Sequence, residues 1–113
     1  VWDHHKARAE KCALELNSIT AKSLNEVVND KEIEAVIVIS ETNLHKEIVA
    51  ACTKAKKHLF VEKPLGINGI EAVEMAKAFD ESGVIFFHNY SVNVAIKCVV
   101  FTVNYKVKCA VSI

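Results

Sequence analysis

His58-Leu59-Phe60-Val61-Glu62-Lys63-Pro64-Leu65 is a short apolar run that leads straight into an acid, a base and the only proline of the chain. Four residues rich in aliphatic and aromatic side chains read as a strand. Proline fixes its own φ and pushes the residue before it out of the helical region. Lys63 is thereby placed at a strand's exit. The opposing reading is an exposed Glu62–Lys63 pair on a loop, which is worth little.

Upstream of this strand, Ala35-Val36-Ile37-Val38-Ile39 is a run of five apolar, mostly β-branched residues without alternation. Such a run fits a strand buried on both faces, as in a parallel sheet. Ser40-Glu41-Thr42-Asn43 breaks it and offers helix N-caps. Leu44, Ile48, Ala51, Cys52 and Ala55 then fall on one helical face. Downstream, Asn68 with Glu71 three residues later is a capping pair, and Ile70, Val73, Ala76 and Phe79 give the stripe of a helix that Gly83 ends. Val84-Ile85-Phe86-Phe87 is a further apolar strand. At the front, Val1-Trp2-Asp3 reads as the end of a strand. His4–Asn17 follows as a helix striped by Ala9, Cys12, Ala13 and Leu16, with Asp3 placed to cap it. A loop over Ser18–Lys22 leads to a short helix opened by Ser23 and Glu26.

Strands and helices thus alternate over residues 1–87, which predicts an α/β domain with a doubly wound parallel sheet and right-handed crossovers. Residues 91–113 differ. They are rich in β-formers, such as Val99, Phe101, Val103 and Tyr105, and predict an irregular β-rich tail turning near Asn104. The chain starts at Val1 as if finishing an element, so a piece of a longer protein is the expectation.

Composition narrows the partners. Fourteen basic and fourteen acidic residues cancel in 113, with 51% apolar and 25% charged residues. Nothing steers the chain towards nucleic acid or an anionic membrane. Lys54, Lys56 and Lys57 read as a solvated helix end. Four dispersed cysteines (Cys12, Cys52, Cys98, Cys109) include no C-x-x-C pair and imply neither zinc nor a redox dithiol. Free thiols and no signal peptide predict a cytoplasmic protein. The most apolar stretch, Val92–Val103, is broken by Lys97 and shorter than the roughly 20 residues a membrane helix needs.

In a parallel α/β sheet every strand-to-helix exit lies on one edge, where ligands bind. The exits here carry Asp3, then Ser40 to His45, then Glu62-Lys63-Pro64, then His88-Asn89-Tyr90. Two readings of Asp3 stand: a helix N-cap, or the acid that accepts adenosine ribose hydroxyls in a dinucleotide-binding fold. That acid lies about 20 residues beyond a glycine-rich phosphate loop. The only glycines here are Gly66, Gly69 and Gly83, so such a loop would precede residue 1. His45 is either a partly exposed helix residue or a ligand contact. No histidines share metal-ligand spacing, and no metal site is expected. Lys63 has the sharpest chemistry: an ammonium at the rim can polarise or deprotonate a substrate hydroxyl, more so if desolvated, with Glu62 able to orient it.

Ile33-Glu34-Ala35-Val36-Ile37-Val38-Ile39, Thr42-Asn43-Leu44-His45, Ala50-Ala51 and Lys57-His58-Leu59-Phe60-Val61-Glu62-Lys63-Pro64-Leu65 together resemble the N-terminal domain of the Gfo/Idh/MocA oxidoreductases, which include glucose-fructose oxidoreductase and inositol 2-dehydrogenase. Val1-Trp2-Asp3, Ala9-Glu10 and Ala13 match that family's second strand and helix. The resemblance implies an incomplete Rossmann-like domain over 1–90, without its first strand and glycine loop, and a divergent tail over 91–113. It implies NAD or NADP as cofactor. NAD is favoured because Asp3 would repel a 2′-phosphate. Lys63 would be the catalytic group, and Asp3, Ser40, Thr42, Asn43, His45, Glu62, Lys63 and Pro64 would line the cofactor cleft. The complete protein would act on a sugar, polyol or related small molecule, with a homo-oligomer left open, while this stretch alone is expected to be inactive. Without the first strand, two neighbouring sheet edges are expected to be exposed.

Three departures from the family pattern stand out: Glu41 where proline is common, Lys56 where glycine usually precedes the Lys-His pair, and the sequence after Phe87. A non-catalytic remnant of the same fold is the alternative. A signalling receiver domain also carries a Lys-Pro strand exit, but it needs an acid pair and a phospho-accepting Asp that no strand here supplies.

Overall fold

The computed structural model describes residues 1–88 and the backbone of residues 109–112. Helices α1 (Lys6–Glu15), α2 (Leu24–Asn29), α3 (Thr42–Lys54) and α4 (Gly69–Ser82) alternate with strands β1 (Ala35–Val38), β2 (His58–Val61) and β3 (Phe86–His88), followed by β4 (Cys109–Ser112). The strands form one sheet in the order β3-β2-β1-β4, and every neighbouring pair is parallel. This is the α/β class expected from the alternation.

Alternation along the strands explains the packing. Val36 and Val38 share a face with Leu59 and Val61, to which they are registered. These four residues join Val27 of α2, Ile48, Val49 and Cys52 of α3, and Met75 and Phe79 of α4 in one buried cluster. Phe79 stacks on Phe86 at 3.7 Å between ring centres, fixing α4 against β3. The opposite face carries Ile37, Phe60 and Phe87 in register, and Phe87 there is largely exposed. At the front, the Val1 nitrogen donates to the Ile19 carbonyl at 2.7 Å and the Ala21 N–H donates to the Val1 carbonyl at 2.8 Å. Val1–Asp3 thus runs as a short parallel neighbour of residues 19–21.

Caps set the helix ends where the sequence signals stood. Ser23 accepts from the Glu26 N–H and Asn68 from the Glu71 N–H, and Gly83 closes α4 at φ 68°. Gly66 is required by space: a Cβ there would lie 2.9 Å from Glu71 Cβ.

Several expectations are corrected. α4 does not bury Ile70 and Val73, which are 74% and 55% exposed; Met75 and Phe79 face the core. Of the expected stripe only Phe79 is in the core. A stripe through 72, 75 and 79 satisfies the same helical spacing as one through 70, 73 and 76, and packing of Met75 and Phe79 in the core selects the former. The last apolar strand spans Phe86–His88 rather than 84–87. Lys57 is not solvated. It is buried, and its Nζ donates to the carbonyls of Asp30 and Ile33 at 2.6 and 2.7 Å, pinning the turn before β1. The β1 edge expected to lie open is paired along its length with β4, Ala35 to Cys109 through Val38 to Ser112. The expected turn near Asn104 and the strands around it lie outside the described residues.

Candidate functional site

Register builds the rim. Val38, Val61 and His88 are aligned across β1, β2 and β3, and the Glu62 N–H continues the ladder to the Val38 carbonyl at 2.9 Å. Ser40, Glu62-Lys63 and His88 therefore leave the sheet at one edge, as a parallel sheet requires.

His45 organises the middle of this edge. It lies in the first turn of α3 and is 1% exposed, which corrects the reading of a partly exposed residue. Its Nε2 is 3.0 Å from the Ser40 carbonyl and its Nδ1 is 3.2 Å from the Leu65 carbonyl. A neutral ring donates to one of these oxygens, and the imidazolium donates to both. The ring thus joins the exit of β1 to the turn after Lys63. Both ring nitrogens lie against backbone carbonyls, so His45 positions the rim.

The Lys63–Pro64 peptide is cis. Lys63 and Pro64 are exposed, so the described residues do not supply the desolvation entertained for the lysine. Glu62 turns its Oε2 to the backbone N–H of Lys63 at 2.8 Å, which braces the turn. Beside them, His88 has its pKa lowered by burial, against a raising influence from Glu62 and with a further lowering one from His45. Glu62, His45 and His88 therefore share one neighbourhood. His88 was expected on the rim after the last strand, and the strand register puts it there.

Asp3 ends the first segment and is 5% exposed. Its Oδ1 accepts from the His5 N–H at 2.6 Å and from Arg8 Nη2 at 3.0 Å. Its Oδ2 lies 2.8 Å from Arg8 Nε but off the axis of that N–H, so this buried oxygen has an ionic contact without a hydrogen bond. Burial pushes the carboxyl pKa up, yet the His5 N–H and Arg8, with His4, outweigh it and hold it below its ordinary value. The N-cap position itself belongs to His5, so Asp3 braces the helix entry from two residues earlier. Arg8 reaches onward to Glu41 at 3.3 Å, which ties Asp3 to the exit of β1. Sequence reasoning did not single out Arg8, although its spacing from Asp3 on α1 was there to read.

Ser40 Oγ is a second buried oxygen without a hydrogen-bond partner. Thr42 is half-buried and Asn43 exposed in the first turn of α3, and Glu41, at the N-cap, makes no side-chain cap. A cavity of about 680 Å³ opens beside Asp3, lined also by Trp2, His4, Ala21, Ser23 and Asn25. Among the described residues no group of three or more His, Cys, Asp or Glu is arranged to hold a metal ion. No helix among them is long and apolar enough to cross a membrane. Cys12 and Cys52 are free thiols, and burial pushes Cys52 up to about 12.

Residues 1–90 match the family described as "Oxidoreductase family, NAD-binding Rossmann fold". Myo-inositol 2-dehydrogenase of Thermotoga maritima is 41% identical over 70 residues, 62% of this chain and 21% of that protein. 2,7-Anhydro-N-acetylneuraminate hydratase of Escherichia coli is 40% identical over 84 residues, 74% of this chain and 23% of that protein. Among solved structures, an NAD binding oxidoreductase from Klebsiella pneumoniae superposes with a TM-score of 0.70 at 35% identity, over 78% of this chain and 24% of that one. GenD2 from gentamicin A biosynthesis, in complex with NAD, gives 0.73 at 27% identity, over 79% and 26%. The chain thus spans about a fifth to a quarter of the length of these relatives.

Proposed function

This chain belongs to the Gfo/Idh/MocA oxidoreductase family, and from that premise we propose that residues 1–90 form the NAD(P)-binding part of an enzyme acting on a sugar, a polyol or a related hydroxyl or carbonyl compound. The observation that carries the reading is the single rim on which Ser40, Glu62-Lys63 and His88 leave in-register strands, with Asp3 joined to it through Arg8 and Glu41. NAD or NADP, when bound, supplies the hydride acceptor or donor. Two buried oxygens without hydrogen bonds, Asp3 Oδ2 and Ser40 Oγ, fit a ligand rich in hydroxyl and amide donors.

Asp3 holds the adenosine ribose in this reading, and its negative charge favours NAD. Ser40, Thr42 and Asn43 face the nicotinamide half, with Glu62 and Pro64 closing the far side. His45 sets their spacing from within α3. Lys63 stands at the substrate hydroxyl and takes or returns its proton in the complete protein, where further residues exclude water around it. Four dispersed cysteines without a C-x-x-C pair support a cytoplasmic setting for that protein.

A chimera tests this. Residues 1–87 replace the matching segment of the Thermotoga maritima dehydrogenase, and NADH formation from myo-inositol is followed. Turnover is expected, and Lys63→Met is expected to lower kcat/KM by about 100-fold or more. A folded but inactive chimera would make this chain a non-catalytic relative. Full activity of the Lys63→Met chimera would remove the role given to that residue.

A further inference from the structure

We propose that Glu41 is a specificity lock: it keeps Arg8 clamped on Asp3, so that the site takes a ribose bearing a free 2′-hydroxyl and refuses one bearing a 2′-phosphate. This rests on the nucleotide reading above and deepens it.

A guanidinium close to the ribose acid is the group that would accept a 2′-phosphate. Arg8 is such a group, yet its donors are committed. Nη2 and Nε contact the two oxygens of Asp3 at 3.0 and 2.8 Å. Nη1 and Nη2 both reach Glu41 Oε1 at 3.3 Å. One cation between two carboxylates leaves the trio a net charge of −1. His4 borders it, with Nδ1 3.3 Å from Asp3 Oδ1 and 4.0 Å from Glu41 Oε2. A phosphate brought beside Asp3 therefore meets a negative cluster whose guanidinium is already held on two sides.

The placement of the three residues makes the lock separable from the site. Asp3 is buried and cannot move. Arg8 and Glu41 are both about half exposed, so their ion pair adds little to stability, and removing the charge at 41 leaves the fold intact. Asp3 also borders the 680 Å³ cavity, and its Oδ2, buried against Arg8 Nε, lacks a hydrogen bond, which makes it the acceptor a ribose hydroxyl would take. With Glu41 neutral, Arg8 keeps Asp3 as its only anionic partner and can turn its free edge to a phosphate.

The test uses the 113-residue chain at low salt, where exposed charges are least screened. Binding of 5′-AMP and of adenosine 2′,5′-bisphosphate is followed by NMR shifts of the Asp3, His5 and Ser23 amides. The unaltered chain is expected to prefer 5′-AMP. Glu41→Gln is expected to shift the ratio of the two affinities towards the bisphosphate by roughly fivefold or more. Adding Arg8→Met to Glu41→Gln is expected to abolish that gain. An unchanged ratio in Glu41→Gln, with both nucleotides still bound, overturns the lock and leaves the nucleotide site standing. A gain that survives Arg8→Met overturns the part given to Arg8. Absence of binding by either nucleotide overturns the site and the lock together.

Discussion

Lys56 shows how far a single position can be read. After α3 the Lys57 N–H returns to the Cys52 carbonyl at 2.9 Å and the Lys56 N–H to the Thr53 carbonyl at 3.1 Å, a Schellman closure that needs a left-handed residue. Lys56 supplies it at φ 59°, where the family pattern carries glycine. Its Nζ recovers one hydrogen bond, to the Ser82 carbonyl at 2.8 Å. Lys56→Gly is therefore expected to stabilise the chain by about 0.5–1 kcal/mol, a gain that urea unfolding would detect. Asp3 was open between a helix N-cap and a ribose acid; in the structure His5 holds the N-cap position and Asp3 braces the helix entry from outside it. Lys57 was read as solvated because no local pattern distinguishes a lysine that buries its ammonium against two carbonyls from one that points to water.

At the scale of elements, α3 does more than cover the sheet. His45 ties its first turn to Ser40 on one side and Leu65 on the other. His45→Leu preserves bulk and removes the ring's donor capacity, leaving the Ser40 and Leu65 carbonyls facing an apolar side chain. A loss of about 1–3 kcal/mol is expected, together with faster amide exchange over residues 40–45 and 62–67 while Val36 and Leu59 stay protected. Unchanged exchange in the two loops would contradict the bracing role.

The elements that the sequence made legible share one property, which is that their signal is local. The β-branched run at Ala35–Val38, the caps at Ser23 and Asn68, and Gly83 each report their own conformation. What was not legible depends on partners. The choice between the 70-73-76 and 72-75-79 faces of α4 is made by β2 and β3. The burial of His45 is made by carbonyls 5 residues before it and 20 after it. The pairing of β4 with β1 joins segments more than 70 residues apart.

For the whole molecule, β4 has a clear consequence. β1 is a central strand whose second edge is satisfied by residues 109–112. In the doubly wound strand order the neighbour of such a strand at this edge is the first strand of the fold, so the tail stands in for it. A chain stopped after Lys108 is expected to expose the β1 edge and self-associate, visible as a larger species by size exclusion with light scattering. A monomer of unchanged stability would show that β4 contributes nothing to the sheet.

The same scale governs cofactor affinity. Pyrophosphate is held by helix N-terminal amides at a glycine loop, and the glycines of this sequence, at 66, 69 and 83, form no G-x-G-x-x-G loop. On the proposed reading, the adenosine and nicotinamide contacts along the rim remain. Calorimetry of NAD against the 113-residue chain, and against the same chain with a relative's first strand, glycine loop and first helix joined ahead of Val1, tests the central claim directly. The account predicts binding no tighter than about 1 mM for the first and a gain to the micromolar range for the second, some 4 kcal/mol. Micromolar binding by the chain alone, or no gain on adding the glycine loop, would contradict it.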